Sequence, residues 1–330
     1  MKKILAVSLA LVLAFCCMST AFAADSASFG AYKRVFIIGI DGAGRFIKDA
    51  DTPNFDRIFK DGAVNYTARA ETKTDSGPNW GAILTGASIR KTKLQNGTVG
   101  SLPRTSDTKY PTVFNVVRQA MPDAELASFV HWNAVNFGII ENDIGVTEVN
   151  VTDDKALTDE ICAYFDAGNQ PTLFFVQLDE VDGAGHGHGS KSAEYFEALE
   201  RADGYLGSIY DAAQRNGLLD DALFIVTADH GHTVKGGHGH LSMRETNVTV
   251  ALSGKTVVPG GKLDATTRNR DIAAMTLYAL GVDRPDSMTA RIPANAFTDV
   301  RGEMRPLHRD PLDAIVSALA WMCTLCTAFI

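Results

Sequence analysis

The sequence predicts an α/β protein, a three-layer α/β/α arrangement around a mostly parallel central sheet. Apolar runs of strand length alternate with amphipathic segments of helical period over residues 34–297. The strand-like runs are apolar throughout rather than every second residue, as strands covered by helices on both faces must be. With 330 residues and 45% hydrophobic content, the chain can bury one large core. No internal repeat or low-complexity stretch interrupts this pattern, so a single domain is expected over residues 24–305.

Before that domain, Lys2 and Lys3 precede an apolar stretch from Ile4 to Cys17, and Ala21-Phe22-Ala23 forms a small-x-small cleavage site. Residues 1–23 therefore read as an export signal, placing the mature chain in the periplasm, at the cell surface or outside the cell. An uncleaved anchor is the alternative. Lipidation through Cys16 is disfavoured by bulky Phe15.

The first strand is Val35-Phe36-Ile37-Ile38-Gly39-Ile40, a continuous apolar run bounded by turn residues. Thr52-Pro53 then opens a helix carrying Phe55, Ile58 and Phe59 at helical spacing, with Gly62 as its stop. Pro78 suits the first turn of a helix that runs to Leu84. Further strands are predicted at 124–130, 172–178 and 223–227, and an irregular one at 248–252. The intervening helices are predicted at 112–120, 155–165, 192–215 and 271–280. The longest places Tyr195, Leu199, Ala202, Leu206, Ile209, Tyr210 and Ala213 on one face and ends at Gly217.

Residues 306–330 form an apolar tail, of which 315–330 hold 16 residues without a charge. That is short of the roughly 20 residues a membrane span needs. The tail reads either as a segment packed on the core or a partner, or as a marginal membrane anchor. Cys162, Cys323 and Cys326 are an odd set at uneven spacing and no disulfide framework. Cys323-Thr-Leu-Cys326 has redox spacing but lies in the tail with no strand before it, and reads as a local disulfide or two inert thiols.

Formal net charge is −8, and loss of Lys2 and Lys3 leaves 29 basic against 39 acidic residues. That balance argues against binding a nucleic-acid polymer. An anionic small molecule would need local compensation, which bound cations supply.

Seven residues stand at or near the ends of predicted strands or at a helix start: Asp41, Ser76, Asp182, His186, Asp229, His230 and His238. Parallel sheets place ligands beyond the C-terminal ends of their strands. Taken singly, an Asp after a strand reads as a helix cap and a His in a glycine loop as a solvated group. Taken together, three carboxylates, three imidazoles and a hydroxyl form the donor set of two adjacent divalent cations. Glycines between them, as in Asp182-Gly183-Ala184-Gly185-His186, suggest tight turns around an ion. Ser76 reads as a helix cap or as a nucleophile. Its place near a helix N-terminus favours an oxyanion, and coordination to a cation removes its proton at neutral pH. Convergence of the seven predicts a two-metal hydrolase acting on phosphate esters.

Asp41-Gly42, Ser76-Gly77-Pro78-Asn79-Trp80 with Leu84-Thr85-Gly86, Asp182-x-x-Gly185-His186, Thr227-Ala228-Asp229-His230-Gly231 and Gly237-His238-Gly239 occur in that order. Over residues 35–254 this pattern resembles the alkaline phosphatase superfamily, and within it the type I phosphodiesterase/nucleotide pyrophosphatase family. The resemblance implies an alkaline phosphatase-like fold and a bimetallic site, usually zinc, with Mn2+ or Mg2+ as alternatives. It implies that Asp41, Ser76, Asp229 and His230 hold one ion, and that Asp182, His186 and His238 hold the other. It also implies that an Asn, here Asn96 or else Asn79, holds a phosphoryl oxygen. The implied substrates are small phosphodiesters or nucleotide pyrophosphates. A phosphomonoesterase, with Arg45 or Lys73 meeting the extra charge, a phospho-group transferase and a non-catalytic metal-binding protein are the alternatives. A sulfatase is disfavoured because Trp80 stands where its motif needs Arg.

Several features depart from the pattern. The chain has no room for the large capping insertion of many relatives. His188, His232 and His240 read as supporting or solvated imidazoles, with His240 a competitor of His238. Asp179 reads as a partner of Asp182, and His131 and Trp132 as lining a pocket or packing in the core.

Overall fold

The structure, a computed structural model, describes residues 28–300. The predicted leader, the apolar tail and Cys323-Thr-Leu-Cys326 lie outside the described residues. Along the chain run β1 (Arg34–Ile40), α1 (Pro53–Phe59), β2 (Ala63–Arg69), α2 (Ser76–Thr85), α3 (Val113–Ala120), β3 (Leu126–Val130) and β4 (Thr147–Asn150). There follow α4 (Asp154–Asp166), β5 (Leu173–Leu178), α5 (Glu180–His188), α6 (Ala193–Arg215), β6 (Ala222–Thr227), β7 (Asn247–Ser253) and α7 (Asp271–Ala279), with shorter helical turns between.

The seven strands form one sheet in the order β2-β7-β6-β1-β5-β3-β4. β6, β1, β5, β3 and β4 pair in parallel, while β7 runs antiparallel to both β6 and β2. The expected α/β class and mostly parallel sheet are therefore present. β1 sits at the centre, with Val35 to Ile38 wholly buried, because it is paired on both edges and covered on both faces. Phe36 packs against Phe165, Phe174 and Phe224, which locks β1 to α4, β5 and β6. α6 buries Tyr195, Leu199, Ala202, Leu206, Ile209 and Ala213 as its apolar stripe predicts, while Tyr210 is only partly buried. Asp203 on the same helix accepts the backbone N–H groups of Asn54 and Phe55, so α1 is capped from another element.

The structure adds elements that the apolar pattern misses. β2 and β4 are edge strands, one with a mixed burial pattern and the other largely exposed as Thr-Glu-Val-Asn. An edge strand covered on one face needs no continuous apolar run. The predicted glycine turn at 182–186 is instead the body of helix α5. Asp154 replaces the missing propensity by capping: its carboxylate accepts the backbone N–H groups of Asp179 and Glu180 at the helix start. Among the described residues, no helix is long and apolar enough to cross a membrane.

Candidate metal centre

Because β1, β5 and β6 run parallel, their C-terminal ends open on one edge of the sheet, and the candidate ligands gather there. Asp41 follows β1 and is buried. Its Oδ2 accepts hydrogen bonds from Trp80 Nε1 at 2.8 Å and from Gln177 Nε2 at 3.0 Å. Its Oδ1 is buried without a hydrogen-bond partner. Asp229 follows β6 and repeats the arrangement. Oδ1 accepts Gly42 N–H and His230 N–H at 3.1 and 2.8 Å, while Oδ2 has no hydrogen-bond partner.

His230 Nε2 reaches into the gap between these carboxylates, 3.2 Å from Asp229 Oδ2 and 3.5 Å from Asp41 Oδ1. Ser76, the first residue of α2, brings its Oγ to 3.2 Å from the same nitrogen. The helix start predicted from Pro78 is present. Gly77 N–H is donated to Asn96 Oδ1 at 2.8 Å and Pro78 has no N–H, so neither of these positions offers a free amide, while the helix dipole favours an anion there.

Asp182 and His186 lie one turn apart on α5, with Oδ2 and Nε2 separated by 3.3 Å. His238 Nε2 lies 3.1 Å from His186 Nε2 and 3.8 Å from Asp182 Oδ1. Its Nδ1 is 2.6 Å from the carbonyl of Thr74, which puts the proton on Nδ1 and leaves Nε2 as a lone-pair donor. The two sub-sites meet where the rings of His230 and His238 stack at 3.8 Å and where His230 Nε2 comes 4.0 Å from Asp182 Oδ1. All seven ligands named from the sequence thus converge. Asp41, Asp229 and His230 form one compact donor group, and Asp182 belongs to two more.

The electrostatics call for positive charge. Burial, then the neighbouring Asp229 and Asp182, push the Asp41 carboxyl well above the usual range. Burial and Asp182 do the same to Asp229. Burial and His238 push His230 far down, so its ring is neutral and able to ligate. Burial alone would raise Asp182, yet hydrogen bonds from His186 and His232 hold it far below the carboxylate range. Mixed oxygen and imidazole donors, with two buried carboxylate oxygens lacking any hydrogen bond, fit divalent cations.

Other expectations need correction. Asn79 cannot meet a substrate: its Oδ1 accepts from Glu71 and Asn269, and its Nδ2 donates to Lys73 O and Asp75 O. Asn96 stays beside Ser76 through Gly77. His240 is exposed and joins no ligand group, so it does not compete with His238. His188 is exposed at the end of α5. Asp179 serves Gln177, whose Nε2 lies 2.6 Å from it, rather than Asp182. His131 pairs with Asp154 at 2.7 Å. Gln177 and Trp80 orient Asp41 without belonging to the predicted ligand set; a glutamine inside the apolar run of β5 is the signal that marks the first.

A family model for type I phosphodiesterase / nucleotide pyrophosphatase matches residues 98–239. Human ectonucleotide pyrophosphatase/phosphodiesterase family member 7 is 26% identical over 229 residues, covering 62% of this chain and 49% of the relative. GPI ethanolamine phosphate transferase 1 of Saccharomyces cerevisiae is 27% identical over 139 residues, 37% of this chain and 15% of the relative. The chain therefore spans about half, or less, of the length of these relatives. Murine ectonucleotide pyrophosphatase/phosphodiesterase 5, an inactive variant in complex with AMP, superposes with a TM-score of 0.61 at 13% identity, covering 77% of this chain and 96% of that one. A phosphonate monoester hydrolase from Silicibacter pomeroyi gives 0.62 at 15% identity, covering 78% and 75%. A 2-O GAG sulfatase gives 0.63 at 13% identity, covering 78% and 73%. At these identities the structural likeness speaks for the fold.

Proposed function

With the alkaline phosphatase superfamily fold, and a sequence that resembles its type I phosphodiesterase/nucleotide pyrophosphatase family, as premise, we propose that this chain is a metal-dependent hydrolase of phosphate esters. Its substrates are phosphodiesters or nucleotide pyrophosphates, and Ser76 is the nucleophile. One observation carries the reading: the Ser76 hydroxyl lies against His230 beside two buried carboxylates, each with an oxygen free of hydrogen bonds.

Asp41, Ser76, Asp229 and His230 would hold one cation, and Asp182, His186 and His238, whose donor atoms lie 3.1 to 3.8 Å apart, the other, with zinc preferred over Mn2+ or Mg2+ for these donors. Such ions lower the pKa of a coordinated hydroxyl and offset charge on the phosphoryl oxygens. Ser76 Oγ attacks phosphorus in line with the leaving oxygen; the Oγ–P bond forms as the P–O bond to the leaving group breaks. The dipole of α2 favours the charge gathering beside Ser76, and the amide nitrogen of Asn96 donates to a phosphoryl oxygen. Water then attacks the phosphoserine, breaks the Oγ–P bond and restores the hydroxyl. Trp80 and Gln177 hold Asp41 still throughout.

A diester is favoured over a monoester because Arg45 and Lys73, the cationic side chains that the sequence offers for an extra charge, pair with Asp49 and Asp75. Similarity to an ethanolamine phosphate transferase supports a second reading, in which an alcohol replaces water in the second step. The predicted leader supports export. Assay of the zinc-loaded protein on bis(p-nitrophenyl) phosphate and p-nitrophenyl phosphate tests the proposal. Faster turnover of the diester is expected, and turnover of neither ester would end the hydrolase reading.

A further inference from the structure

His232 lies outside the ligand motifs, two residues beyond His230, yet its ring is completely buried beside Asp182. Its Nε2 is 2.7 Å from Asp182 Oδ1, while His186 approaches the other oxygen, Oδ2. The space for this ring exists because two neighbours lack side chains. A Cβ on Gly185, in the helix that presents Asp182 and His186, would lie 2.4 Å from His232 Cδ2. A Cβ on Gly42, next to Asp41, would lie 2.8 Å from His232 Nε2. The backbone that carries the ring is fastened as well. Ser190 Oγ donates to the carbonyl of His232 at 2.8 Å, and Arg244 donates to the same Oγ at 2.9 Å.

Exposure orders the imidazoles around Asp182. The His186 side chain is 52% exposed, His238 9% and His232 0%, so His232 stands behind the carboxylate on its protein side. Its Nδ1 is buried without a partner. An imidazole that ligates through Nε2 carries its proton on Nδ1 and needs an acceptor there. One that donates from Nε2 leaves only a lone pair on Nδ1. His230 shares the bare Nδ1, but its Nε2 faces Asp41, Asp229 and Ser76 together, whereas the Nε2 of His232 is spent on one carboxylate oxygen.

We propose that His232 is a positioning residue for the metal centre: it donates its Nε2–H to Asp182 Oδ1 and holds that carboxylate turned toward the cation shared with His186 and His238. The inference rests on the two-cation reading above. A carboxylate fixed before the ion arrives loses no orientational freedom on binding it, and removing such a support costs roughly 10–100-fold in metal affinity.

The test is zinc affinity, measured by competition with a chromophoric chelator for the wild type, His232→Leu and His232→Gln. Melting in EDTA establishes that both variants fold. Leucine fills the slot without a donor and is expected to weaken one of the two zinc equivalents by roughly 10–100-fold. Glutamine, which keeps a terminal N–H, is expected to recover most of that loss. Unchanged affinity in His232→Leu, or equal losses in both variants, would overturn donation from His232 while leaving the two-cation reading intact. A wild-type protein that binds no zinc would overturn both.

Discussion

In the proposed reaction, Ser76 is the residue on which the chemistry turns. Its Oγ, on the first residue of α2, lies 3.2 Å from His230 Nε2. On the proposed reading Ser76→Ala removes the nucleophile and one of four donors to its cation but leaves Asp41, Asp229 and His230 in place, so the variant should still load zinc at saturating concentration while turnover of bis(p-nitrophenyl) phosphate falls by at least about 10³-fold. Retention of full turnover would exclude the covalent route. At this scale legibility in the sequence follows chemistry. The candidate ligands stand in recognisable types at strand ends or in glycine-rich segments; six of the seven fall in groups that could hold a metal ion, and Ser76 lies against His230. The side chains that orient them do not stand out, because Trp80, Gln177 and His232 act through contacts between positions 39 to 136 residues apart that no local spacing encodes or, for His232 and Asp182, 50 apart.

Among elements, β1 and α2 depend on each other through one absent methyl group. A Cβ on Gly39 would fall 2.3 Å from Trp80 Cη2, and the indole cannot retreat because it is fully buried and its Nε1 is tied to Asp41. Gly39→Ala should therefore destabilise the fold by about 1–3 kcal/mol, read from denaturant unfolding, and weaken zinc binding by displacing Asp41. Loss of stability with unaltered zinc affinity would separate the packing of Trp80 from the site. The loop between β7 and α7 supplies a second case. Arg291 donates to both oxygens of Asp264, and the backbone N–H groups of Thr266 and Ala294 add two more hydrogen bonds. Burial would raise the Asp264 carboxyl, but these partners hold it well below the usual range. Its contribution is present above the unfolded carboxylate pKa and is lost as pH falls toward the depressed folded value. Asp264→Asn should flatten the decline of unfolding free energy between about pH 5 and pH 3, and an unchanged slope would remove Asp264 as a source of acid sensitivity. Strands covered on both faces are legible in the sequence to within about two residues. α5 is not, because its Gly185 makes room for His232 and its start is capped by Asp154 from α4, a tertiary debt that composition conceals.

For the whole molecule, the parallel sheet concentrates negative charge at one edge, with Asp41, Asp182 and Asp229 gathered where β1, β5 and β6 end. In the metal-free protein, burial and mutual repulsion raise the Asp41 and Asp229 carboxyls above their unfolded values. A carboxyl raised in this way stabilises the fold below the unfolded pKa, and that stability is lost as pH rises through the folded one. Cations that bind only the folded chain reverse the loss, adding about 2.7 kcal/mol at a free concentration 100 times the dissociation constant. For a domain of this size, removing zinc with EDTA near neutral pH should lower Tm by roughly 5–10 °C. The gap between zinc-loaded and EDTA-treated protein should also widen from about pH 5 to about pH 8, since ionised ligands both bind zinc better and repel each other more without it. Melting curves at matched ionic strength check both statements. A gap that is absent, or that narrows as pH rises, would mean that these three carboxylates are neutralised by something other than metal ions, and the hydrolase reading would lose its electrostatic foundation.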